Sequence, residues 1–123
     1  EFDQNLVDQE KEVDNKLHEA KVCLKNQNFE CVLKKSEDIL NISPNNASAK
    51  TLKERARKDL AQHKIIVKNL REAEACLKNI QYSCALSKAK IVLNIAPDNE
   101  QAENIVSFAK AEQKKAWEES TIE

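Results

Sequence analysis

The sequence predicts an all-α protein, and three observations carry that prediction. Glycine is absent and proline occurs only twice in 123 residues. Tight hairpins and phosphate-cradling loops need a positive φ or a close backbone approach of the kind glycine supplies, so β-meanders, P-loops and Rossmann sites are excluded. Long stretches of Ala, Leu, Lys, Glu and Gln run without a helix breaker. Finally, residues 17–49 recur as 70–102 at an offset of 53, with 16 identities in 33 positions and no gap.

The repeat defines the elements in order. In the first copy Leu17, Ala20 and Leu24 form an i, i+3, i+7 stripe, matched by Leu70, Ala73 and Leu77 in the second. The polar run Asn26-Gln27-Asn28 is the predicted turn. After it, Val32, Ser36, Ile39 and Leu40 keep helical spacing, as do Ala85, Ala89, Val92 and Leu93. The residue before a proline is driven out of the α region, so Pro44 and Pro97 stop these second helices near Ile42 and Ile95. Each unit therefore reads as an antiparallel helical hairpin.

Between the hairpins, residues 46–79 contain neither Pro nor Gly. Leu52, Ala56, Leu60, His63, Val67, Leu70 and Leu77 carry an apolar stripe through them, with His63 as a partly buried packing residue. This segment is expected to form one linking helix of about 50 Å, packing first on the preceding hairpin and then opening the next. The stretch up to Asn26 and a capping helix at 99–119 fill the equivalent places, giving five helices in a single domain over 1–123, stacked as a short α-solenoid. Trp117, the only Trp, is expected to cap the stack, with anchoring of a partner at a hydrophobic spot as the alternative.

These units resemble the tetratricopeptide repeat. The resemblance rests on Ala20 and Ala73 at the helix crossing, on Phe29 and Tyr82 opening the second helix, and on Ala85. The endings Ile39-Leu40 to Pro44-Asn45-Asn46 and Val92-Leu93 to Pro97-Asp98-Asn99 complete it. Lys16 and Asn69 stand where that family has an aromatic, and the period is 53 rather than 34. The resemblance implies a groove on the inner face of the first helices, with inward positions Lys21, Leu24 and Lys25, then Glu74, Leu77 and Lys78, then Asn104 and Phe108 on the last helix. It implies a peptide or partner domain as ligand, with Lys25 and Lys78 facing its acidic groups. A helical spacer dimerising through Leu6, Val13, Leu17 and Leu24 is the alternative, and a thiol-redox protein a further one.

Cysteines give the sharpest chemical signal. Cys23 and Cys31 lie eight positions apart and recur as Cys76 and Cys84. One cysteine falls in the last turn of the first helix and the other in the first turn of the second, so the pair faces across the bend at a separation suited to a disulfide. The competing readings are reduced cysteines packed as small hydrophobes, and a metal site supplemented by His18 or His63, whose spacing matches no zinc pattern. Disulfides imply an oxidising compartment, the bacterial periplasm first, or the secretory lumen or cell exterior; with reduced cysteines the cytoplasm is the alternative. The Asn- and Lys-rich composition fits an AT-rich bacterial genome.

Charge and the remaining motifs bound the function. The 20 basic and 21 acidic residues nearly cancel and are interspersed, which provides no groove for nucleic acid. The longest purely apolar run, Ile65-Ile66-Val67, is far below the roughly 20 residues of a membrane span. No Met is present, so the chain reads as an excerpt or a processed product, and Glu1-Phe2 fits a cloning scar. Asn46-Ala47-Ser48 formally matches a glycosylation sequon. Ser36 has Ala89 as its counterpart, and Glu37-Asp38 and Glu118-Glu119 read as solvated helix charges. No nucleophile stands beside a base, so no enzyme, no cofactor and no catalytic residue is expected.

Overall fold

A computed structural model describes residues 3–122 of the chain; Glu1 and Phe2, read above as a cloning scar, lie outside the described residues. Five helices make an all-α fold: α1 (Gln4–Lys25), α2 (Phe29–Ile42), α3 (Ala47–Lys78), α4 (Tyr82–Ile95) and α5 (Glu100–Ile122). Among the described residues there is no strand. The chain divides into two compact units, one up to Ala61 and one from Gln62 onward. Each is a helical hairpin with part of a third helix against it.

Asparagines start α2, α3 and α5. The Asn28 side chain accepts from the Cys31 amide at 3.2 Å, Asn46 from Ala49 at 2.9 Å and Asn99 from Ala102 at 2.9 Å. Each satisfies one of the orphan amides of a first helical turn, an N-cap contact that contributes about 1 kcal/mol. The amide side chain of Asn46, the sequon residue, is therefore committed to a cap. Ser43 (φ −133, ψ 86) and Ala96 (φ −132, ψ 84), the residues before the two prolines, are extended and end α2 and α4 at Ile42 and Ile95 as the sequence predicts.

Both bends inside the hairpins take a left-handed residue without glycine. Gln27 has φ 58 and Ile80 has φ 60. In the first bend the Asn28 amide donates to the Cys23 carbonyl and the Gln27 amide to that of Leu24. Gln81 to Cys76 and Ile80 to Leu77 repeat the pattern. These are Schellman closures, in which glycine is the usual residue. A β-branched side chain there costs about 1–2 kcal/mol. Lack of glycine excludes phosphate loops but did not exclude positive φ.

Packing follows the repeat. In the first unit Ala20 of α1, Val32 of α2, and Leu52 and Ala56 of α3 form one cluster, and Val13, Ile39 and Ala49 a second. In the second unit Leu70, Ala73 and Cys76 of α3 join Ala85, Ala89 and Val92 of α4 and Ala102, Ile105 and Ala109 of α5 in one cluster. Alanines with no exposed surface at 20, 49, 56, 73, 85, 89, 102 and 109 let the helix backbones approach closely. Val32 and Ile39, fully buried on α2, each contribute about 1.5–3 kcal/mol relative to exposure.

Two sequence-based expectations are corrected. His63 is exposed rather than partly buried, and Val67 is exposed as well; from 61 to 68 only Ile66 is partly covered. The stripe of α3 belongs to two different cores, and this stretch lies between them. Trp117 is 68 % exposed and covers none of the core clusters. From residue 114 to 121 every side chain of α5 is exposed.

Candidate functional site

Each hairpin bend carries the same arrangement of groups. The sulfurs of Cys23 and Cys31 lie at disulfide-bonding distance with their Cα atoms 5.9 Å apart, and those of Cys76 and Cys84 do likewise at 5.9 Å. One turn from each cysteine pair stands an ion pair. Lys35 Nζ meets Glu19 Oε2 at 2.8 Å in the first unit, and Lys88 Nζ meets Glu72 Oε2 at 2.9 Å in the second. The hydrogen bond and the charge of Lys35 hold the Glu19 carboxyl below the ordinary value, and Glu19 raises Lys35 in return. Lys88 lowers Glu72 in the same way. The recurrence of Glu19 with Lys35 as Glu72 with Lys88 was the sequence signal for these pairs, since i and i+16 face each other across a hairpin bent at 26–28.

One turn further along, the units differ. Lys16 reaches Asp38 at 3.7 Å in the first, while the buried Asn69 of the second donates to the Ile65 carbonyl of its own helix at 2.8 Å. These are the two positions where an aromatic was absent from the repeat pattern.

The groove residues expected in the first unit do come together. Lys21, Leu24 and Lys25 of α1 line an open hollow of about 430 Å³ with Gln27, Phe29, Arg55 and Asp59. Leu24 and Phe29 are half-buried at its floor, packed against the Ala20 cluster. Lys21 and Lys25 are exposed and take no ionic partner among the described residues, while Arg55 Nε is 3.7 Å from Asp59. Three cations thus stand around an apolar floor with one carboxylate. Arg55 and Asp59 were missed in the sequence because they lie beyond the matched segment and reach the hollow only through the packing of α3.

In the second unit the expected groove residues serve differently. Glu74 accepts a hydrogen bond from Gln101, and Leu77 packs against the core. Lys78 and Asn104 are exposed, and Phe108 is 51 % exposed. The offset of 53 sets Phe108 against Arg55, Ile80 against Gln27, Glu74 against Lys21 and Tyr82 against Phe29. Arg55, Gln27 and Lys21 are therefore replaced by apolar or acidic residues in the second unit, while Lys25 keeps its charge as Lys78.

Two further hollows belong to the first unit. One of about 540 Å³ lies along Leu6, Glu10, Val13 and Asp14 of α1, facing Ile42 and Pro44. Another of about 360 Å³ is lined by His18, Glu19, Val22, Cys23 and Lys35. Among the described residues no group of three or more His, Cys, Asp or Glu could hold a metal ion, and no helix is long and apolar enough to cross a membrane. Comparison with known protein families, with curated proteins and with solved structures finds no match.

Proposed function

We propose that the chain is a protein-interaction module of tetratricopeptide-like hairpins, working in an extracytoplasmic compartment, and that its first unit holds an acidic segment of a partner protein. The single observation behind this reading is the hollow in which Lys21, Lys25 and Arg55 surround the apolar floor of Leu24 and Phe29. Unpaired ammonium groups beside apolar surface favour a carboxylate flanked by an apolar side chain, because the hydrophobic contact supplies affinity and the charges supply register and encounter rate. The second unit, with exposed Phe108 and half-buried Leu77, offers apolar surface of its own. The two cysteine pairs at bonding distance support an oxidising location, the periplasm first among them.

The spacer reading draws less support. Val13, Leu17 and Leu24, three of the four positions a dimeric coiled coil would need, pack inside their own unit.

Fluorescence anisotropy with a labelled peptide rich in Glu and Asp and carrying one Leu tests the proposal. Binding that weakens with salt and falls at least about tenfold in the Lys21→Glu, Lys25→Glu double variant is expected, with Lys78→Glu changing it far less. Equal binding by the double variant and the parent chain would overturn it.

A further inference from the structure

The two cysteine pairs share a separation and a place in the fold, yet their surroundings differ in a way that bears on their chemistry. Cys76 is 8 % exposed and belongs to the core cluster of its unit, with Ala73 and Ala85. Its equivalent Cys23 packs against the Ala20 cluster but is only partly buried, and it lines the open hollow of about 360 Å³ with Val22 and Lys35. The outer partners Cys31 and Cys84 are both partly buried and both sit in the first turn of a helix.

We propose that Cys23–Cys31 is a thiol-exchange site for small thiols, while Cys76–Cys84 is a closed structural link. This goes beyond the interaction reading and does not depend on it. Exchange begins when an external thiolate attacks one sulfur along the S–S axis, and both access to that sulfur and the stability of the departing thiolate set the rate. In the first unit the attacked atom is Cys23 Sγ, reached through the hollow. A new bond forms between the incoming sulfur and Cys23, the Cys23–Cys31 bond breaks, and its electron pair leaves on Cys31. That negative sulfur stands in the first turn of α2, where the helix dipole favours charge. It then takes a proton from water. A second thiol attacks the mixed disulfide, releasing the oxidised small-molecule disulfide and the Cys23 thiolate.

Neither route is open to the same degree in the second unit. Attack at Cys76 is blocked by its burial. Attack at Cys84 would expel a thiolate on Cys76 into apolar surroundings, where the charge is disfavoured. The sequence alone shows two identical pairs at identical spacing, so this difference is visible only in the packing.

The test uses the whole oxidised chain with reduced glutathione as probe. Timed samples are quenched with N-ethylmaleimide and mapped by peptide mass. The expected early species carries glutathione on Cys23 and maleimide on Cys31 with Cys76–Cys84 intact, and the second link opens at least about tenfold more slowly. In denaturant the two links should open at similar rates, since the difference comes from folding. Opening of Cys76–Cys84 at an equal or faster rate in the native chain would overturn the proposal. So would glutathione placed mainly on Cys31, or a rate difference that persists in denaturant.

Discussion

The first unit and the second were built from one repeated segment, and what they share differs from what they do not. Shared are the cysteine pair across the bend, the ion pair one turn away, the Schellman closure with a left-handed residue, and the asparagine cap that follows the proline. These groups fix how two helices meet at a tight turn. The groups that vary line the hollow of the first unit or stand at the matching positions of the second, or fill the hairpin core: Arg55 against Phe108, Lys21 against Glu74, Ser36 against Ala89, Ile39 against Val92. The comparison teaches that the bend is a common device and that the faces it presents are specialised separately.

Removing the covalent links is the strongest way to break that comparison. In the chain-entropy account each short loop contributes about 2.5 kcal/mol, so full reduction should lower stability by about 5 kcal/mol in urea unfolding. Cys76→Ala with Cys84→Ala should cost more than the equivalent pair at 23 and 31, because Cys76 also fills core volume. Equal loss in both would separate the links from their packing.

Ile80 sharpens the comparison at the bends. Being 71 % exposed, it loses little burial on replacement, and its left-handed backbone favours a non-branched residue. Ile80→Asn should stabilise the chain by about 1 kcal/mol, and Gln27→Asn by less, as read from thermal or urea midpoints.

Ser36 tests the cores. It is fully buried on α2 and its hydroxyl has no hydrogen-bond partner among the described residues, where the second unit has Ala89. Ser36→Ala should therefore raise stability, by up to about 1 kcal/mol, and make the two hairpin cores more alike.

The smallest effect is that of the ion pairs. The carboxyls of Glu19 and Glu72 are held below the ordinary glutamate value by Lys35 and Lys88, so their contribution is complete above the unfolded value and is lost as pH falls through the folded one. Lys35, raised by Glu19, contributes below its unfolded value and loses that contribution as pH rises through the folded one. Glu19→Gln should flatten the acid limb of the urea midpoint against pH slightly, as expected for exposed pairs, and Glu72→Gln should match it.

Much of this architecture was legible in the residues. Pro44 and Pro97 marked where α2 and α4 stop, the Asn26-Gln27-Asn28 run marked the bend, and the doubled cysteines marked which groups face across it. The exposure of His63 and Val67 was not legible, because spacing along a helix does not reveal that its apolar face changes partners midway. Trp117 misled for a related reason: a large aromatic at the end of a helical stretch reads as core until the neighbouring helices are shown to stop short of it. The hollow of the first unit was half legible. Lys21, Leu24 and Lys25 lie on one helix face, but Arg55 joins them only through tertiary packing.

The most direct measurement is the intact mass of natively oxidised protein, denatured without reductant in the presence of a thiol-alkylating reagent, followed by peptide mapping. With both links formed, the chain takes up no reagent and yields the two cross-linked peptides Cys23–Cys31 and Cys76–Cys84. Alkylation of all the cysteines, or a link joining Cys23 or Cys31 to Cys76 or Cys84, would contradict the account of two separately closed hairpins.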